Sequence, residues 1–100
     1  MIDALGIIET VGFTSAIQAA DAAVKSANVR LGQWTKVGGG RVCIVMRGEV
    51  AAVKAAVDAG VTAAKAIGNV AASLVIPRPS EKLSPKFPID AFTTGKKAGK

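Results

Sequence analysis

The stretch Lys36-Val37-Gly38-Gly39-Gly40-Arg41-Val42-Cys43-Ile44-Val45-Met46-Arg47 joins two strand-like runs through three consecutive glycines. Two residues suffice for a tight hairpin. A third glycine adds unfolded-state entropy that folding must overcome, so it calls for a reason. A roomy turn that needs positive φ is one. Bare backbone facing a ligand, a phosphate or a copy of itself is another. No Gly-Lys-Ser/Thr follows the run, and a strand rather than a helix comes next, so it is not a phosphate loop. Nor does it have the strand-to-helix setting of a dinucleotide fingerprint. On the residues alone it is a hairpin loop.

Working outward from this hairpin, the pattern predicts a strand at about Val29–Val37 before it and one at Arg41–Arg47 after it. Leu5–Val11 reads as a first strand that Gly12 ends. Phe13-Thr14-Ser15 opens a helix, with Ser15 and Gln18 spaced as a capping box. Ile17, Ala20, Val24 and Ala27 recur at helical spacing, with Gln18, Lys25 and Ser26 facing elsewhere. A second helix begins near Gly48-Glu49, where an acidic first turn suits the positive helix end. Val50, Val53, Val57, Val61 and Ala64 form its apolar stripe, and Lys54 and Asp58 pair at i,i+4 on the other side. Gly68-Asn69 is a stop signal. Val70–Ile76 is the fourth strand, ended by Pro77-Arg78-Pro79. The order β-α-β-β-α-β predicts a ferredoxin-like α+β domain over residues 1–79, with a four-stranded antiparallel sheet and two main helices. Residues 80–92 are expected as a short docked segment with Phe87, Ile89 and Phe92 as anchors. Residues 93–100 are expected to be a disordered basic tail.

Composition narrows the chemistry. The 100 residues hold no histidine and no tyrosine. The missing histidine removes the commonest general base, the Ser-His and Cys-His nucleophile pairs and most zinc sites. The carboxylates Asp3, Glu9, Asp21, Glu49, Asp58, Glu81 and Asp90 are scattered, with no pair spaced for acid–base work. No catalytic residue, metal site or cofactor is therefore expected. The single cysteine, Cys43, cannot form an internal disulfide, and the chain reads as one for a reducing interior. It lies in an apolar run and reads as a buried strand residue. No basic leader and no apolar run of the roughly 18 residues a membrane helix needs are visible, which predicts a soluble cytoplasmic protein.

The net charge of +6 is divided evenly between residues 1–79 and the much shorter 80–100. The body is thus only mildly basic, and no exposed aromatics interleave with its charges as a nucleic-acid surface would need. Half the residues are hydrophobic, mostly Ala and Val, with only 4% aromatic. Both faces of the third and fourth strands are apolar, while two helices can cover one face. Ala19, Ala22, Ala23, Ala52 and Ala55 add further small apolar surface. A monomer would leave much of this exposed, so an oligomer is expected. Lys25 reads as an exposed helix residue and Arg78 as a loop residue whose flanking prolines pre-set its backbone, lowering the entropy lost on docking. Trp34 is core by default, with an interface as the other reading.

Five strings together resemble a known family. Ala4–Thr10, Ala19–Ala27, Lys36–Gly40, Arg47–Ala56 and Val75–Pro79 are similar, in the family's order, to the hexamer-forming shell proteins of bacterial microcompartments. The resemblance spans about residues 2–79. It implies a BMC domain that forms a flat cyclic hexamer, tiles edge to edge into a shell around enzymes, and is not itself an enzyme. It also implies three sites. Lys36, Val37, Gly38, Gly39 and Gly40 would line a pore on the six-fold axis, with Gly39 at the narrowest point. Lys25 would lie antiparallel to its copy across the edge between tiles. Arg78 would reach into the neighbouring hexamer, with Asn28 near that junction. The implied partners are its own copies, other shell proteins, encapsulated enzymes, and small polar or anionic metabolites crossing the pore. Neither nucleic acid nor membrane is implied, and the implied location is the microcompartment shell in the cytoplasm. Two departures from the family are Ser80, where many members have histidine, and Trp34, where tyrosine is common. A ferredoxin-like regulatory or nucleic-acid-binding module is the alternative, but stacking aromatics would be needed on its central strands, and only Trp34 is on offer.

Overall fold

The structure, a computed structural model, describes residues 3–90. Seven elements follow in order: β1 (Ala4–Val11), α1 (Phe13–Ser26), β2 (Arg30–Leu31), β3 (Thr35–Gly38), β4 (Arg41–Gly48), α2 (Val50–Lys65) and β5 (Asn69–Ile76). All pairings are antiparallel. β1 lies at the centre between β4 and β5, and β2 and β3 both pair with the outer side of β4. The α+β plan is therefore the one the sequence predicts, with one change. The second predicted strand is broken into β2 and β3, which makes five strands. At the break the Gly32 N–H donates to the Val45 carbonyl at 2.7 Å, and Trp34 leaves the sheet to meet the Phe13 ring edge-on.

The two-residue period of β1 sorts its side chains. Ala4, Gly6, Ile8 and Thr10 face the helices and are buried, while Leu5, Ile7, Glu9 and Val11 point to the opposite face. Ile8, Ile44, Met46, Val53 and Val57 form the centre of the helix-side core. α2 lies chiefly over β1 and β5, and α1 over β1, β4 and β2.

The first helix departs from its predicted details. Gly12 is its N-cap, and no side chain caps it. Ser15 is buried within the first turn, where a Cβ on Gly68 would collide with its hydroxyl, so it does not form the expected capping box. The buried face consists of Ser15, Ala16, Ala19 and Ala23, whereas Ile17 is 53% exposed and Val24 is also exposed. Close helix packing explains the rotation. A Cβ on Gly60 of α2 would lie 2.9 Å from the Ala19 carbonyl oxygen. At that spacing only small side chains fit between the helices, so the larger aliphatics turn outward.

The second face of the sheet is covered at one end by residues 80–90. Ile89 is buried with Leu5 and Val45, and Leu83, Ile7, Ile76 and Cys43 pack against them. Phe87 does not anchor the segment: it is 57% exposed, because the turn that bonds its N–H to the Leu83 carbonyl directs the ring away. Phe92 and residues 93–100 lie outside the described residues.

Arg47 ties this segment down. Its side chain is only 11% exposed, and its guanidinium donates to the carbonyls of Asp3, Ala4 and Ile89 and to the Asp90 carboxylate. The planar five-donor fork suits such convergence of carbonyls, which a lysine could not serve at once.

Candidate functional site

The three glycines divide into two roles. Lys36 pairs with Val42, but Gly38 already pairs with Arg41, so Val37 is an extra residue that forms a β-bulge. Gly39 and Gly40, with φ of 62° and 77°, are the two residues of the turn itself, and positive φ at both is what a primed hairpin turn needs. The third glycine, Gly38, has φ of 89° at the bulge. A Cβ at any of the three would meet nothing within 4 Å. The backbone conformation, and not local crowding, thus requires glycine here.

The hairpin is held at its turn. The Gly12 N–H donates to the Gly40 carbonyl at 2.8 Å, joining the loop to the β1–α1 turn. Lys36, Val37 and Arg41 around it are all exposed. Apart from this bond, the hairpin presents open glycine backbone with two cations and one apolar side chain around it.

The other predicted site residues lie at the opposite end. Lys25, in the last turn of α1, pairs with Asp21 at 2.9 Å on the helix surface, and both are well exposed. Asn28 lines a shallow polar depression of about 330 Å³ with Arg30, Gly48 and Glu49. Arg30 pairs with Asp3, whose carboxyl is held below its ordinary value by that hydrogen bond and by the charges of Arg30 and Arg47. Arg78 is exposed just beyond β5, between Pro77 and the buried Pro79. Lys25 and Asn28 thus sit at the β2 side of the domain and Arg78 beyond the β5 side. Within one subunit the fold does not bring them together.

Trp34 is not a core residue. It is 46% exposed, stacked edge-on with Phe13 at 5.1 Å between ring centroids. Cys43 is half-buried rather than buried, and burial, reinforced by Glu9, pushes its thiol above the ordinary value. Among the described residues no group of three or more His, Cys, Asp or Glu could hold a metal ion, and no helix is long and apolar enough to cross a membrane. A stacking platform on the central strands is missing as well, since Val45 lies buried beneath Ile89.

The sequence reading overlooked Arg47 and Phe13. A basic side chain closing an otherwise apolar strand was the available signal for Arg47. Nothing local marked Phe13, whose exposure follows from where α1 meets the sheet.

These features define a small α+β domain whose glycine loop and predicted charged site residues lie at its two ends. The family model described as BMC domain matches residues 4–79. The chain is 56% identical over 87 residues to the bacterial microcompartment shell protein PduA of Citrobacter freundii, covering 84% of this chain and 94% of that one. It is 49% identical to the shell protein EutM of Salmonella typhimurium (88% and 92% covered) and 46% identical to the carboxysome shell protein CcmK2 of Synechococcus elongatus (86% of each). A solved structure of a microcompartments protein from Desulfitobacterium hafniense DCB superposes with a TM-score of 0.78 at 40% identity, over 85% of this chain; that match spans 48% of the longer chain. The chain belongs to the BMC domain family of bacterial microcompartment shell proteins.

Proposed function

We propose that this chain is a structural tile of a microcompartment shell: a cyclic hexamer that packs edge to edge, with the Gly38–Gly40 hairpins of six copies around a central pore. One observation carries the oligomer. Ten large apolar side chains stand exposed among the described residues, and three of them, Phe13, Ile17 and Trp34, gather around one cleft as a contiguous apolar patch of the kind that marks a contact with another molecule. The ten include residues on both flanks and at both ends, as a tile surrounded by neighbours requires.

The pore reading follows from the hairpin's chemistry. A ring of six tips offers bare backbone N–H groups and no side chain at Gly39, so the opening stays wide and its dipoles favour polar or anionic solutes. Lys36 and Arg41 in every copy add positive potential on the approach. Lys25, Asn28 and Arg78, at the far end, are then the contacts between tiles, with other shell proteins and the enclosed enzymes as partners. Two like-charged Lys25 side chains can meet only if their aliphatic stems pack and nearby carbonyls receive the ammonium groups.

The test is the solution mass of the purified protein, followed by electron microscopy. A six-subunit mass with extended layers or closed shells is the expected outcome. A monomer that is retained on RNA in a salt-dependent way would overturn the reading.

A further inference from the structure

Among the described residues Ser84 is the one hydroxyl bonded to an ionised side chain. It donates to the Asp90 carboxylate at 3.0 Å, and the same carboxylate oxygen accepts from Arg47 Nη1 at 3.2 Å. The Ser84 oxygen and the guanidinium are therefore separated by no more than these two bonds laid end to end. Arg47 also has a donor to spare. A guanidinium carries five N–H groups, and this one makes four contacts, to the carbonyls of Asp3, Ala4 and Ile89 and to Asp90. Ser84 is open to an enzyme as well: it lies exposed in the turn segment after β5, between exposed Lys82 and Lys86 and next to Pro85. The other serines differ. Ser15 is buried, Ser26 bonds the Ala23 carbonyl within α1, Ser73 lies in β5, and Ser80, though exposed, meets only the Lys82 N–H.

We propose that Ser84 is a phosphorylation site whose phosphate takes the place of the Asp90 carboxylate on Arg47. The transfer needs a serine kinase and a nucleoside triphosphate. Ser84 Oγ attacks the γ-phosphorus, the new O–P bond replaces the bond to the departing nucleoside diphosphate, and the hydroxyl proton passes to the kinase's base. The phosphoserine dianion has no proton left to give Asp90 and repels it. Its oxygens, one P–O bond beyond Oγ, come within reach of the guanidinium. Arginine binds phosphate through two parallel N–H bonds, and the donor that Asp90 vacates and the spare one are two. The tether of the segment thus moves from its end, at Asp90, to its middle, at Ser84. Ile89 and Leu83 keep covering the sheet beside Cys43, while Asp90, from which residues 91–100 continue, is let go. This site does not depend on the hexamer.

Protein isolated from the cells that make it should show phosphoserine at position 84 by peptide mass spectrometry. Its absence under every growth condition tried overturns the site. The exchange of partners is tested with phosphoserine installed at position 84 by codon suppression, and at Ser80 as a control. By phosphorus NMR the Ser84 phosphate should titrate below the ordinary second value of about 6, the Ser80 phosphate close to it. Arg47→Gln should abolish that lowering, and Asp90→Asn, which leaves the guanidinium in place, should deepen it. Labelling of Cys43 by a thiol reagent should stay within about twofold of the unmodified protein, since a paired phosphate holds the segment where repulsion alone releases it. A Ser84 phosphate that titrates at or above its ordinary value, or a Cys43 that labels many times faster, overturns the exchange.

Discussion

The Gly12 N–H and the Gly40 carbonyl are joined by a 2.8 Å hydrogen bond that fastens the glycine hairpin to the start of α1. Gly12 itself sits at φ 97°, and the Thr10 hydroxyl donates to its carbonyl at 3.0 Å. Gly39 is open, but the turn is fastened through Gly40 to Gly12, which Thr10 holds in turn. Gly12→Ala forces a Cβ onto extended positive-φ backbone (ψ 152°), open essentially only to glycine, and should cost about 1–3 kcal/mol in urea unfolding. Hydrogen exchange at the Gly12 amide should accelerate with it. An unchanged midpoint would show that the turn relaxes at no cost.

Gly39→Leu places six bulky side chains where the proposed pore has none. Permeation of a small anionic solute into assembled shells should fall severalfold, while the hexamer mass is retained. Equal permeation in variant and wild-type shells would remove the hairpin from the transport path.

Lys25→Ala and Arg78→Ala should each abolish layers, tubes or shells in electron micrographs, with hexamers persisting in solution. Lys25 and Asp21 are an exposed i,i+4 pair worth only about 0.3–0.5 kcal/mol, so its loss leaves the fold intact. If either substitution dissolves the hexamer itself, that residue belongs to the ring contact instead.

Arg47→Ala frees three backbone carbonyls and the Asp90 carboxylate at the same time. Leaving such acceptors unpaired costs about 1–3 kcal/mol per buried group, and a total loss of about 2–4 kcal/mol is expected. With residues 80–90 loosened, Cys43 becomes accessible. Its raised thiol makes it slow toward a thiol reagent at neutral pH in the wild type, and the variant should react several times faster. An equal rate would mean that the segment does not shield the cysteine.

Asp3 gives an acid-sensitive contribution. Its folded-state value lies below the ordinary 3.8 because it accepts a hydrogen bond from Arg30. A depressed carboxylate stabilises the fold fully above the unfolded value, and that stability is lost as pH falls through the folded one. The wild type should therefore lose stability relative to Asp3→Asn only below about pH 3.8. Identical acid profiles for the two proteins would show that the Arg30 contact does not form in solution.

Much of this was legible in the sequence, for identifiable reasons. The glycine hairpin, the two helical periods and the Pro77–Pro79 stop are local signals, because φ preference and side-chain period act within a few residues. They yielded the order of elements, and the five strings between Ala4 and Pro79 yielded the family. Other features depend on contacts distant in sequence. Ile17 and Val24 mark a helical period correctly, yet which side of that helix is buried depended on Gly60, forty residues away, bringing α2 so close that only alanines fit. Trp34 reads as core from its size, and its exposure follows from the break at Gly32 that releases it from the sheet. Arg47 reads as a strand end, and the turn around Leu83 and Ile89 supplies the carbonyl and carboxylate that complete its ligand set with the carbonyls of Asp3 and Ala4. The sequence by itself determined the α+β plan, the hairpin and the family. Tertiary structure alone decided that Gly38 serves a bulge while Gly39 and Gly40 make the turn, and which apolar side chains stay exposed, because register and burial are set by the elements a residue meets and not by the residues beside it.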